Sequence, residues 1–248
     1  MDLFEPGNAT RGISLDAARS IRQTVEQVQQ FSLFRGLSPS DCASIVASAQ
    51  KKNFLRRQTI FFEGSPIRQI LLLVSGCVKV SQFGQSGTEV ILRLSGPGDV
   101  IGSLALLSQK AHCSTAQTLA ASTVLVWESA SFDTVLNRFP ILWHNIARIL
   151  EDRLNDMDQR FREISTEKVA LRLSSELVRL MHQVGQRVND HVEISLSREE
   201  MAQLTGTTLF TVSRLLCQWE VLGIVSVRRG GVLVRDLPAL VALSQDQQ

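Results

Sequence analysis

The sequence predicts an α+β chain in which a β-rich domain of sandwich or barrel type comes first, a long helix follows, and a small mixed module closes it. Three observations carry this reading. Between Asn53 and Trp127, short β-prone runs alternate with glycines at regular short spacings. After Pro140 the apolar residues switch to helical spacing and keep it as far as Ile164. Beyond Gly185, short helical and short β patterns alternate again.

With 248 residues, a formal net charge of +2, and 44% apolar against 20% charged side chains, the composition is that of an ordinary globular chain of one or two domains. So even a balance excludes a polyelectrolyte tail. The apolar run Ile70 to Val74 is strand-sized, far short of the ~20 residues that a membrane-spanning helix needs. Acidic Asp2 and Glu5 open the chain with no apolar stretch behind them, unlike a secretory signal. A cytoplasmic protein with no membrane partner is expected.

Taken in order, residues 1–30 are polar and Gln-rich, with Ile13, Leu15, Ala18, Ile21, Val25 and Val28 at helical spacing, and read as an N-terminal extension entering an amphipathic helix. A short helix follows Ser38 and Pro39, with Cys42, Ile45, Val46 and Ala49 as its apolar side. The predicted strands are Thr59–Phe62, Ile70–Val74, Val78–Val80, Glu89–Leu94 and Thr123–Trp127. In the long helix Ala147, Leu150, Leu154, Met157, Phe161 and Ile164 recur at alternating steps of three and four, a narrow seam suited to one partner helix. Spacing alone leaves open whether that partner is a second copy or the chain's own β-domain. A further helix is expected from Thr166, read as its cap, to about His182, with Gly185 ending it.

The closing module carries the most specific signal. Ser197 and Glu200 have capping-box spacing, Ala202 leaves room for a crossing helix, Gly206 supplies a left-handed turn, and Thr208 caps a second helix. The inward face of that helix is Val212, Leu215, Leu216 and Trp219; Leu209, Phe210, Ser213 and Arg214 are left outside. Two β runs, Ile224–Val227 and Val232–Val234, hinge on Arg228, Arg229, Gly230 and Gly231. This order describes a winged helix-turn-helix. The second helix of such a unit reads base edges from its N-terminal half, where an arginine can make a bidentate contact to guanine. From residue 166 onward nine basic and nine acidic residues balance, so the reading needs local positive charge. Arg198, Arg214, Arg228 and Arg229 are placed to supply it.

On these residues the chain resembles the Crp/Fnr family of transcription regulators from Phe31 to Pro238. The β-domain is similar to that family's cyclic-nucleotide-binding-like roll, a double-stranded jelly roll, in Phe61-Phe-Glu-Gly64, Leu73-Val-Ser-Gly-Cys-Val-Lys79 and Gly98-Asp-Val-Ile-Gly102. The family's Glu-x-x-Ser-Arg phrase stands as Phe210-Thr-Val-Ser-Arg214. The resemblance implies a homodimer on a palindromic DNA operator, with RNA polymerase as a further partner. Arg214 would contact guanine and Ser213 a base or phosphate, with Thr207, Thr208, Leu209, Thr211, Arg198, Arg228 and Arg229 completing the interface. Phe210 replaces the family's glutamate and cannot accept a hydrogen bond from cytosine, but it can lie against a thymine methyl. The implied division is an extension over 1–30, a sensor roll over 31–137, a dimerisation helix over 138–164 and the DNA-binding domain over 165–248.

The implied effector pocket is lined by Gly102, Ser103, Cys113, Ser114, Thr115 and Met157. It departs from the family. Cyclic-AMP-binding members carry glutamate, arginine and a Thr-Ser pair where this chain has Ser103, Cys113 and Met157-Asp158. With no guanidinium at 113, a buried cyclic phosphate lacks its counter-charge and cyclic AMP is not expected. No cysteine precedes Cys42, which argues against an iron-sulfur cluster; haem stays open through His112 or Cys113. Cys113 and Cys217 are candidate redox sites. Two alternatives remain: a DNA binder needing no ligand, its roll only a scaffold, and a cupin-like metal enzyme. The second suffers from a β-domain with a single histidine and from the lack of any recognisable catalytic group, so no enzyme activity is expected.

Overall fold

A computed structural model describes residues 22–102 and 111–245. The predicted α+β architecture is present. Eight strands form a roll of two antiparallel sheets: β1 (Gln50–Phe54), β2 (Thr59–Phe61), β3 (Gln69–Ser75), β4 (Val78–Phe83), β5 (Glu89–Ser95), β6 (Val100–Ile101), β7 (Thr115–Thr118) and β8 (Ser122–Glu128). One sheet has the order β1-β8-β3-β6, the other β2-β7-β4-β5.

Three apolar layers hold the molecule together. Leu71, Leu73, Val78, Ile101, Ala116, Val124 and Val126 fill the space between the sheets. The outer face of the first sheet, including Ile70, Leu72, Val74, Leu125 and Trp127, is covered by Leu33, Phe34 and Ile45, and by α2 (Ser129–Arg138) and the start of α3 (Ile141–Thr166). That strand β3 reads as an unbroken apolar run follows directly, since both its faces are buried. Against the second sheet, Cys77, Ile91, Leu94 and Leu119 join the core of the C-terminal module.

The helix α1 (Pro39–Ala47) begins as its sequence indicates, with Ser38 Oγ accepting from the Asp41 amide. Val25 and Val28 are buried in the same cluster as Leu33 and Phe34, so residues assigned to the extension pack as part of the roll. The expectations on Ile13, Leu15, Ala18 and Ile21 lie outside the described residues. One helix start is corrected. Thr166 does not cap the next helix; it closes the last turn of α3, where its hydroxyl donates to the Arg162 carbonyl, and α4 (Val169–Gln183) starts from Lys168. The helix α2, the hairpin β9 (Gln186–Val188) and β10 (His191–Ile194), and the closing helix α7 (Leu237–Leu243) are additions to the predicted set.

The C-terminal module is completed by α5 (Arg198–Thr205), α6 (Leu209–Val221), β11 (Val225–Arg228) and β12 (Gly231–Val234), whose sheet has the order β11-β12-β10-β9.

Candidate functional site

The helix pair α5–α6 is built by the local rules its sequence obeys. Ser197 Oγ accepts from the Glu200 amide at 3.1 Å while the Glu200 carboxylate accepts from the Ser197 amide at 2.7 Å. Gly206 ends α5 at φ +61°, a conformation that a side chain strains. Thr208 Oγ1 accepts from the Thr211 amide and opens α6. Val212, Leu215, Leu216 and Trp219 are buried, so the opposite side of α6 must face water. Leu209 and Arg214 are exposed there, and Phe210 is 77% exposed, a large ring held in solvent at the first turn. Thr208 is exposed as well; Thr207, Thr211 and Ser213 are partly covered. The Arg214 side chain makes no hydrogen bond or ion pair among the described residues.

Arg198, Leu209, Arg228 and Arg229 converge with Ser197, Glu199, Val227, Gly230 and Gly231 around one open groove of about 510 Å³ between the two helix starts and the β11–β12 turn. Arg228 stands at the edge of ion-pair range from Glu193, at 4.0 Å, and is nearly half exposed. The Glu220 carboxylate accepts from the Val227 amide at 2.7 Å, tying the far end of α6 to the wing. A rigid helix thus presents one arginine, and a groove beside it presents three more.

All six seam positions of α3 face solvent in the single chain: Ala147, Leu150, Leu154, Met157, Phe161 and Ile164. Phe161 is 74% and Leu154 58% exposed. The reading in which the seam packs on the chain's own β-domain is therefore overturned. That job belongs to another face of α3, where Leu142 and Ile146 enter the core and Asn145 donates to the carbonyls of Leu33 and Arg35 at 2.9 and 2.8 Å.

The expected effector residues separate. Gly102 lies against the Phe61 ring and His112, leaving no room for a Cβ. The His112 ring stacks on Phe61 with centroids 3.7 Å apart, and its Nδ1 is buried without a partner among the described residues. Burial pushes its pKa below the ordinary histidine value. Ser114 is buried, Thr115 Oγ1 accepts from the Glu63 amide, Cys113 is exposed, and Met157 sits on the open seam. Ser103 is outside the described residues. Burial pushes the Cys77 thiol up to about 12, which makes it an inert core group; Cys217 is exposed on α6. Among the described residues no group of three or more His, Cys, Asp or Glu side chains is placed to hold a metal ion, and no helix is long and apolar enough to cross a membrane.

One premise about the roll is corrected: a guanidinium, that of Arg93, does lie near Cys113. Arg93 on β5 lies near Asp99, and Arg153 on α3 stands near Arg93 and Asp99 while donating to the Val100 carbonyl. Desolvation, reinforced by Arg93, lowers the Arg153 pKa to about 10. Nothing in the residue pattern marks either arginine.

Residues 51–139 match the cyclic nucleotide-binding domain family, and residues 171–243 match the Crp-like helix-turn-helix domain. The chain belongs to the Crp/Fnr family of transcription regulators. Similar family members include the CRP-like cAMP-activated global transcriptional regulator of Mycobacterium tuberculosis, 25% identical over 206 residues, which are 82% of this chain and 92% of the relative. The Cyclic AMP receptor protein of Thermus thermophilus is 28% identical over 209 residues, 84% of this chain and 94% of the relative. A solved CRP-family transcriptional regulator from the same organism superposes with a TM-score of 0.70 at 26% identity, covering 79% of this chain and 97% of that one. With a Crp-like helix-turn-helix domain, the chain is a DNA-binding transcription regulator, and the winged unit is its DNA-binding part.

Proposed function

We propose that two copies of this Crp/Fnr regulator join along the α3 seam and set their α6 helices into successive major grooves on one side of a palindromic operator. The carrying observation is the exposed α6 surface with an unengaged Arg214 beside a groove rimmed by Arg198, Arg228 and Arg229. Arg214 reads a guanine by a bidentate contact, Ser213 a base or phosphate, and Phe210 a thymine methyl. Thr207, Thr208, Leu209 and Thr211 line the approach, and the wing arginines neutralise phosphates. Closed two-fold pairing would place the two reading helices about 34 Å apart, one turn of DNA.

The protein performs no chemistry of its own in this reading. It changes transcription by occupying DNA, with RNA polymerase as its further partner. The test is binding of a selected duplex by wild type and by Arg214→Ala at several salt concentrations. Loss of base preference in the variant supports the reading; an unchanged preference overturns the role given to Arg214.

A further inference from the structure

Arg172 on α4 is buried, yet no carboxylate pairs with it among the described residues. Its guanidinium is spent on backbone carbonyls: Nε donates to Thr205 at 3.2 Å, and Nη1 donates to Glu167 at 2.8 Å and to Ile164 at 3.4 Å. These carbonyls belong to three different pieces of chain. Ile164 lies in the last turn of α3, Glu167 in the link to α4, and Thr205 is the final residue of α5. The end of a helix leaves carbonyls without an intrahelical partner and carries negative partial charge, so one buried cation serves two such ends at once.

Those pieces connect the seam to the reading helix. Ile164 is the last seam residue, and its Cδ1 would stand 4.0 Å from a Cβ placed on Gly206, so the end of the seam lies against the α5–α6 turn. Gly206 and Thr207 follow Thr205 directly, and Thr208 opens α6. The Glu163–Arg179 and Arg160–Glu176 pairs join α3 to α4; Arg172 adds α5. A group that must meet its target at a set angle is only as exact as the contacts that lock its support. On a duplex, one base pair more or less between half-sites moves one of them by about 3.4 Å and turns it by about a tenth of a turn. The angle between α3 and α6 therefore decides which spacing fits.

We propose that Arg172 is a positioning residue for DNA reading: by clamping the end of α3 to the end of α5, it fixes the angle of α6 to the two-fold axis and so the half-site spacing that a pair of chains accepts. Buried as it is, it leaves base preference within a half-site to α6. The role needs arginine in particular. A planar fork presents donors in several directions and can span carbonyls from two helix ends, whereas the ammonium of a lysine is a single compact point of charge. The proposal rests on the paired reading given above, since spacing has a meaning only for two joined chains.

The test measures binding of the full chain to duplexes that share the half-sites wild type selects but differ in the spacer by one or two base pairs either way. Wild type, Arg172→Lys and Arg172→Met are compared, with melting temperature recorded for each. Wild type should hold its best spacer about tenfold or more tighter than the neighbouring ones. In Arg172→Lys, which keeps the charge and most of the stem, that preference should flatten to about threefold or less, while base preference inside each half-site stays as in wild type. An arginine with a merely structural role would lower the melting temperature and weaken all spacers by one common factor. A spacer profile of unchanged shape in either folded variant therefore overturns the role, and so does failure of both variants to fold, which would make Arg172 a residue of the core alone. Wild type that binds single half-sites and ignores the spacer would instead overturn the paired reading itself.

Discussion

Arg179 on α4 grips Glu163 on α3 with both ends of its guanidinium, Nη1 to Oε1 at 2.7 Å and Nη2 to Oε2 at 2.8 Å. The same arginine donates to Glu176 Oε2 at 2.9 and 2.7 Å, and Arg160 of α3 reaches Glu176 Oε1 at 3.0 Å. Both carboxylates are buried. The joint between the long helix and the DNA-binding unit is therefore an ionic network rather than an apolar contact, and removal of one member strands the others. Arg179→Met should destabilise the chain by about 3 kcal/mol in urea unfolding, because two buried carboxylates lose their main partner. A change within about 0.5 kcal/mol would show that the network is incidental.

The same pair sets an acid limit. Burial alone would raise the Glu163 carboxyl, but the Arg179 hydrogen bonds and charge hold it below the usual carboxylate range. A depressed folded pKa adds stability that is present above the unfolded value of ~4.3 and is lost as pH falls through the folded value. Thermal stability should drop on acidification through that window. The drop should be shallower in Arg179→Met, which has less of this contribution to lose.

The Phe61–His112 stack gives a second pH effect at higher pH. Since His112 has a folded pKa below its unfolded value of ~6.5, the unfolded chain binds its proton first, and stability falls as pH drops below that value. His112→Phe keeps a ring against Phe61 and removes the orphaned Nδ1. Melting points measured between pH 5 and 7 should slope less in the variant than in wild type. Identical slopes would remove the histidine from the account.

Leu154→Asp and Phe161→Asp test the seam. Both side chains are exposed in the single chain, so the variants should fold with nearly unchanged monomer stability. Their self-association should weaken by about 30-fold or more in analytical ultracentrifugation, as for charges placed at the centre of an apolar interface. Retained dimers would assign the pairing to another surface.

Arg214→Ala should weaken operator binding by about 1 to 3 kcal/mol and relax preference at one base pair, read by competition with single-base operator variants. Phe210→Glu should shift preference at the neighbouring step toward a G·C pair. Of the two, the phenylalanine is the sharper probe, since its ring is held in water with no packing role to confuse the result.

How far the sequence could be read differs by element, for physical reasons. The helix-turn-helix was legible residue by residue because caps, a left-handed glycine and an apolar face are local signals. The strands with apolar faces were legible too. Strand β1, Gln50–Phe54, is an edge strand rich in lysine, and β7, Thr115–Thr118, turns only Ala116 and Thr118 inward; neither offers an apolar alternation to detect. The face on which Arg93 lies is hidden from the sequence for a different cause. Strict alternation from Glu89 puts Val90, Leu92 and Leu94 on one face and the arginine on the other, but a bulge against β4 leaves Val90 and Leu92 exposed and buries Ile91 and Leu94. A one-residue insertion in a pairing cannot be seen without the partner strand. The Thr166 error is similar in kind: a threonine whose hydroxyl bonds back to the preceding turn is the same residue that, one break later, would have been a cap.

Two-fold reading of DNA by a pair of α6 helices is put to the test by selecting bound duplexes from a random pool with the purified full chain. A symmetric consensus is expected, its half-site centres about 10 base pairs apart and bound by two chains per duplex. A selected site without that symmetry, held by one chain, or no enriched sequence at all, would contradict it.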